Sequence, residues 1–151
     1  MVDSLNIRPR ASGDDEFIGE LSKTAFADYS RRSGPVTLGF VRAASAHTLV
    51  ACRGPTPVGF ASIDVDGPRA SLQAIAVVAR ERGTGVGARL LAAVEAEARA
   101  RGAHELRLCT GEANVEALQL FLRAGFRITS RFPRYYTRGQ NACEMRKLLT
   151  P

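Results

Sequence analysis

Residues 80–91 read RERGTGVGARLL, with glycines at 83, 85 and 87 set between arginines and ahead of a leucine pair. Closely spaced residues without Cβ atoms let a bare backbone approach a ligand. Unpaired N–H groups opening a helix, together with its dipole, favour an anion there. The chemistry suggested is phosphate binding, and three motifs compete for it. A P-loop needs Gly-Lys-Ser/Thr at its end, whereas Gly87 is followed by Ala88 and Arg89, so it is excluded. Gly83-x-Gly85-x-x-Ala88 fits a dinucleotide fingerprint, with Glu112 as an acidic residue beyond the next strand. Against it, ARER separates Val78 from Gly83, and hairpin signals stand where that fold repeats strand–helix units. The third motif includes the arginine: Arg82-x-x-Gly85-x-Gly87, with Thr84, Val86 and Ala88 inside or just behind it.

The surrounding elements can be read from periodicity. SLNIRPR is a short strand closed by Pro9, after which Ser12 is expected to cap a helix with Asp14, Asp15 and Glu16 in its first turn. Phe17, Leu21 and Phe26 follow at helical spacing, and a further helix is expected over Val36–Ala46. HTLVACRG and PVGFASIDVDG form a hairpin through Gly54-Pro55, and Asp66-Gly67-Pro68 turns into the strand ASLQAIAVV. Val86, Leu90, Leu91, Val94 and Ala98 mark one face of a helix that Gly102 ends. HELRLCT is a strand, and Asn114 caps a helix carrying Leu118, Phe121 and Leu122 and ended by Gly125. FRITSRFPRYY and NACEMRKLL complete the sheet. Hairpins plus one parallel crossover make this an α/β chain with a mixed sheet.

The whole chain sets outer bounds. Its 151 residues suit one domain spanning 1–151, with 45% hydrophobic and 24% charged residues. The longest clean apolar run is AIAVVA, far short of a membrane helix, and MVDSLNIRPR lacks the apolar stretch of a secretory signal. Cys52, Cys109 and Cys143 are odd in number and lack CxxC spacing, so reduced thiols in a cytoplasm are expected, with no metal site. A net charge of +6 favours anionic partners such as phosphorylated small molecules. The basic residues are scattered and no nucleic-acid motif accompanies them, so neither nucleic acid nor membrane is an expected partner.

Taken together, these motifs resemble the GNAT N-acetyltransferases. Arg82-x-x-Gly85-x-Gly87 matches the family's Q/R-x-x-G-x-G/A motif, with Ile75-Ala76-Val77 in the strand before it. NVEALQLFLRAGF matches a second motif through Asn114, Ala117, Gly125 and Phe126, and RYYTRGQNACEMRK resembles a closing hairpin found in ribosomal-protein N-terminal acetyltransferases. The resemblance covers residues 70–148, and NIRPR agrees with it at the N-terminus. It implies a GNAT-like fold, a mixed and mostly antiparallel sheet of about six to seven strands flanked by about four helices. It also implies acetyl-CoA as co-substrate, with the pyrophosphate of CoA on the loop Arg82, Gly83, Thr84, Gly85, Val86, Gly87 and Ala88. The pantetheine would run along Ile75, Ala76 and Val77, within reach of Asn114, with Phe121 also at the cofactor and Arg123 reaching a CoA phosphate.

The implied reaction is attack of a neutral primary amine, from a small molecule or a peptide, on the thioester carbonyl. It needs oriented reactants, a donor to the carbonyl oxygen and a route for protons. The backbone N–H of Val77 is the expected donor. Two positions depart from the family pattern: Phe121 stands where members carry a tyrosine, and Cys109 where the N-terminal acetyltransferases carry a glutamate. Tyr135 and Tyr136 are the candidate acids. Cys109 is a further candidate, against its alternative as a buried, inert strand cysteine. Asp64 and Glu144 are strand carboxylates, His47 and His104 are assigned no role, and a water chain could serve as base. The acceptor site is expected from 25–45 and 129–141, where SRRSG and RYYTRG suggest carboxylate-bearing substrates. Two alternatives stay open: a CoA-binding module with little catalysis, and a homodimer rather than a monomer.

Overall fold

The computed structural model describes residues 4–27, 39 and 41–149. Seven strands form one sheet: β1 (Leu5–Pro9), β2 (Ala46–Arg53), β3 (Thr56–Asp66), β4 (Arg69–Val77), β5 (Glu105–Gly111), β6 (Arg127–Phe132) and β7 (Ala142–Leu148). Their order is β1-β2-β3-β4-β5-β7-β6, and only the central β4–β5 pair is parallel. That parallel pair is the expected crossover, because the chain must traverse a helix to re-enter the sheet in the same direction.

Three helices are described in full: α1 (Asp15–Ala25), α2 (Val86–Ala100) and α3 (Val115–Arg123). Of the helix expected over 36–46, positions 36–38 and 40 lie outside the described residues. Gly39, Val41 and Arg42 are helical, and the chain leaves helical geometry at Ala43. The start of α1 also differs from expectation. Ser12 does not cap it; Ser12–Asp14 form a 3-10 turn and α1 begins at Asp15. The carboxylate of Asp14 accounts for this. It accepts two bonds from the Arg8 guanidinium (2.7 and 2.9 Å) and one from the Ala11 N–H (2.8 Å), drawing the chain into a tighter turn. The Arg8 bond holds the Asp14 carboxyl below its ordinary range, against the opposing effect of burial.

The sheet is covered on both faces. On one, the apolar stripe of α2 (Val86, Leu90, Leu91, Val94, Ala98) joins Phe121 of α3, Ala61, Ile63, Leu106, Leu108 and Met145 in the larger core. On the other, Ile18 of α1 packs with Val41, Val50, Phe60, Ala74 and Ala76. Burial of these side chains contributes about 1.5–3 kcal/mol for each large one, so the larger cluster dominates the fold. Gly59 lets α2 settle onto the strands: a Cβ there would lie 2.9 Å from the Ala76 carbonyl oxygen and 3.1 Å from Leu90 Cδ1.

Candidate active site

Two features of the backbone meet at the end of β4. The first is an opening in the sheet. β4 and β5 pair only at Arg69–Glu105, Ala70–Leu106 and Ser71–Arg107, although β4 runs on to Val77 and β5 to Gly111. Beyond those pairs the strands part, and the facing edges keep peptide groups that no neighbouring strand takes up. Val78 donates its N–H to Val58 on β3 (2.9 Å). Because amides alternate between the two edges of a strand, the Val77 N–H points the other way, into the opening. Ile75 and Val77 are half-buried on the α2 face, and Ala76 is buried on the α1 face.

The second feature is the loop that follows. Ala79–Glu81 make a 3-10 turn, and Gly85 stands at the N-cap of α2 with φ 91°. Gly83 also has a positive φ, 76°, so both positions need glycine for conformation rather than for space. No side chain caps α2 and no acidic residue occupies its first turn. The N–H groups of Gly83, Gly85, Val86, Gly87 and Ala88 take no acceptor among the described residues, whereas that of Arg89 bonds back to Gly85 (3.1 Å). Several donors at the positive end of a fifteen-residue helix form an anion site. Arg82 and Ala88 are exposed on its rim, and Arg82 makes no ion pair among the described residues. Thr84, also exposed, donates its hydroxyl to the carbonyl and carboxylate oxygens of Glu81.

The remaining expected residues separate into three groups. Asn114 caps α3, accepting from the Ala117 N–H at 3.3 Å, and Arg123 is exposed near the other end of that helix. Phe121 is 3% exposed and meets Phe126 edge-on at 5.8 Å, which places its ring in the core. Tyr135 and Tyr136 are half-buried, edge-on to one another at 5.0 Å, with Tyr135 stacked on Phe132 at 5.7 Å. They do not sit on a strand, as FRITSRFPRYY suggests. β6 ends at Phe132 because Pro133 has no N–H for the ladder and Arg134 adopts φ 54°. Both tyrosine N–H groups instead bond to the Gln140 carbonyl, and a cavity of about 390 Å³ opens beside this loop, lined by Glu112, Ala113, Gly139, Gln140 and Asn141.

Cys109 corrects another expectation, since it is exposed rather than buried. Along β5 the alternate residues Leu106, Leu108 and Thr110 face inward, so Glu105, Arg107 and Cys109 share the opposite face. Among the described residues α1 packs chiefly on β4 and β3 rather than on β5. Glu144 stands directly opposite Cys109 on β7, but Arg146 (2.9 Å) and the Thr129 hydroxyl (3.1 Å) engage its carboxylate. Asp64 accepts from the Ser45 hydroxyl. His104 donates its N–H to Pro68, at the far end of β4 from the opening. Of the segments expected to line an acceptor site, 28–38 and 40 lie outside the described residues.

Reading along the chain missed the groups that brace the loop and the two helices beside it. Arg53, at the end of β2, holds Glu81 through two nitrogens (3.2 and 3.4 Å). Lys147 on β7 binds both oxygens of Glu95 on α2 (3.0 and 3.1 Å) and the Ala124 carbonyl at the end of α3 (2.6 Å). No local sequence signal marks either pair, because the partners are 28 and 52 residues apart.

With an opened parallel strand pair leading into an uncapped, glycine-flanked helix start, the chain has the architecture of a GNAT acetyltransferase. The model of the acetyltransferase (GNAT) family matches residues 15–126, and the chain belongs to that family. Among solved structures, Ard1 of Thermoplasma volcanium superposes with a TM-score of 0.87 at 26% identity, covering 97% of this chain and 99% of that one. The ribosomal-protein-S18-alanine N-acetyltransferase of Escherichia coli gives 0.85 at 22% identity, with 98% and 96% covered. The yncA protein of Salmonella typhimurium, solved with its cofactor acetyl-CoA, gives 0.82 at 21% identity, with 98% and 95% covered. No curated protein sequence matches. No helix among the described residues is long and apolar enough to cross a membrane.

Proposed function

We propose that the chain transfers acetyl from acetyl-CoA to a primary amine of a small molecule or peptide, as one catalytic domain spanning 1–151. The observation that carries this reading is the set of five unpaired N–H groups, from Gly83 to Ala88, beside the open edge of β4. The loop Arg82–Ala88 holds the pyrophosphate: its amides supply donors, the helix dipole supplies positive potential, and Arg82 adds a cation. Ile75–Val77 offer backbone partners to the pantetheine in place of the strand pairing that β4 lacks there. The side-chain amide nitrogen of Asn114 is left for the same chain while its oxygen caps α3. Arg123 reaches outward to a phosphate, and Phe121 supports α3 from within the core.

Acetyl-CoA brings an activated thioester. Against it the Val77 N–H, fixed by the strand, donates to the carbonyl oxygen as negative charge develops there. Tyr135 or Tyr136 supplies the proton for the departing thiolate, acting as a general acid through its phenol. Solvent reaching the opening removes the proton from the amine, and Cys109, exposed on β5, is the alternative as a weak donor or a nucleophile. Peptide acceptors belong beside small amines because one structural relative is an alanine N-acetyltransferase of a ribosomal protein by its name. Three unbridged cysteines suit a reducing compartment such as the cytoplasm.

Release of free CoA thiol over a panel of amines and peptides tests this reading. Acetyl-CoA-dependent release is expected, and either Tyr135→Phe or Tyr136→Phe should lower kcat about tenfold or more with little change in acetyl-CoA affinity. Loss of activity in neither variant would remove the tyrosines from the proton route. Tight binding without release over the whole panel would leave a CoA-binding module, and failure of acetyl-CoA to bind would refute the function outright.

A further inference from the structure

The loop assigned to the pyrophosphate is immediately preceded by a carboxylate. Glu81 precedes Arg82 directly, and an unneutralised acid at that point would repel the anion the loop is built to take. Arg53 answers this from a different part of the fold. Its Nη2 lies 3.2 Å from Glu81 Oε1 and its Nε 3.4 Å from Oε2, a two-pronged pair between mostly covered side chains. The same carboxylate accepts from the Thr84 hydroxyl at 3.0 Å, and that hydroxyl also reaches the Glu81 carbonyl at 2.6 Å. Both carboxylate oxygens are thereby drawn toward β2 and into the loop's own bonds.

We infer that Arg53 sets the affinity of the cradle for CoA by neutralising Glu81, acting as a positioning residue that itself takes no part in the reaction. The inference rests on the reading of Arg82–Ala88 as the pyrophosphate site. A mere structural brace and a charge mask predict opposite patterns among variants. Arg53→Met leaves the carboxylate uncompensated beside the site. Glu81→Gln removes the charge while keeping an oxygen for Thr84, and the double variant removes charge and countercharge together.

Calorimetric titration of CoA against the four proteins, with melting followed in parallel, tests this. The expected result is about tenfold weaker binding for Arg53→Met, since the uncompensated carboxylate beside the loop repels the anion. Glu81→Gln should bind within about threefold of the unaltered protein, and the double variant should recover most of the loss. Equal weakening by both single changes without recovery in the double would make the pair a brace and overturn the inference. Should Arg53→Met fold poorly, Glu81→Gln alone decides: a tenfold loss there contradicts the charge mask. CoA failing to bind the unaltered protein would instead refute the cradle itself.

Discussion

Replacing Gly85 with aspartate should weaken acetyl-CoA binding by at least about a hundredfold while leaving the protein folded. Two effects combine. At φ 91° any side chain strains the backbone, at a cost of about 1–2 kcal/mol, and aspartate tolerates that region better than most. That strain alone would lower the melting temperature by only a few degrees. The larger effect is electrostatic: the new carboxylate would stand at the N-cap of α2, where five amides are free for an anion, and would occupy them itself. A Cβ at Gly85 meets nothing within 4 Å, so a clash inside the protein is not the cause of the loss. Gly85→Asn separates the two contributions, carrying the shape without the charge, and should lose about tenfold. Gly67→Asp is the control, because Gly67 has φ 59° in the β3–β4 turn, away from the opening. It should bind acetyl-CoA normally. Binding by Gly85→Asp within about threefold of the unaltered protein would contradict the assignment.

Lys147→Met should be the most damaging change to stability among the charged residues. Glu95 is buried on α2, and Lys147 supplies its two hydrogen bonds while also satisfying the Ala124 carbonyl at the end of α3. Removing the lysine strands a buried carboxylate and an orphaned carbonyl, at a cost of about 3 kcal/mol, and for a chain of this size roughly 6–12 °C in melting temperature. Replacing both partners with apolar residues, Glu95→Leu with Lys147→Met, should recover most of that loss, since a buried pair contributes little net over well-packed hydrophobes. A melting temperature for Lys147→Met within about 2 °C of the unaltered protein would show that the pair does not hold the helices. The effect bears on the site as well. A Cβ on Gly87 would lie 3.6 Å from Leu120 Cδ2, so α3 backs directly onto the first turn of α2.

The parts of this arrangement that repeat at short range were legible in the sequence. The stripe Val86, Leu90, Leu91, Val94 and Ala98 is buried as its spacing requires, and Asn114 caps α3 as its type suggests. Gly102 and Gly125 end their helices at positive φ. Local signals failed where a distant partner decides. Ser12 lost the helix start because Arg8 claims Asp14. Cys109 is exposed because no helix among the described residues packs chiefly on its side of β5, a fact of topology that alternation along one strand cannot reveal. The opening between β4 and β5 has no sequence signature either, since both strands read as continuous and only their pairing stops. Arg53 and Glu81 look like surface charges until β2 is folded against the loop.

The most direct test of the account is a crystal structure of the protein with CoA. The pyrophosphate should accept hydrogen bonds from the amides between Gly83 and Ala88, and the pantetheine should lie in the gap between β4 and β5 alongside Ile75–Val77. CoA bound elsewhere, with the amides of the 83–88 loop left without it, would contradict the central claim.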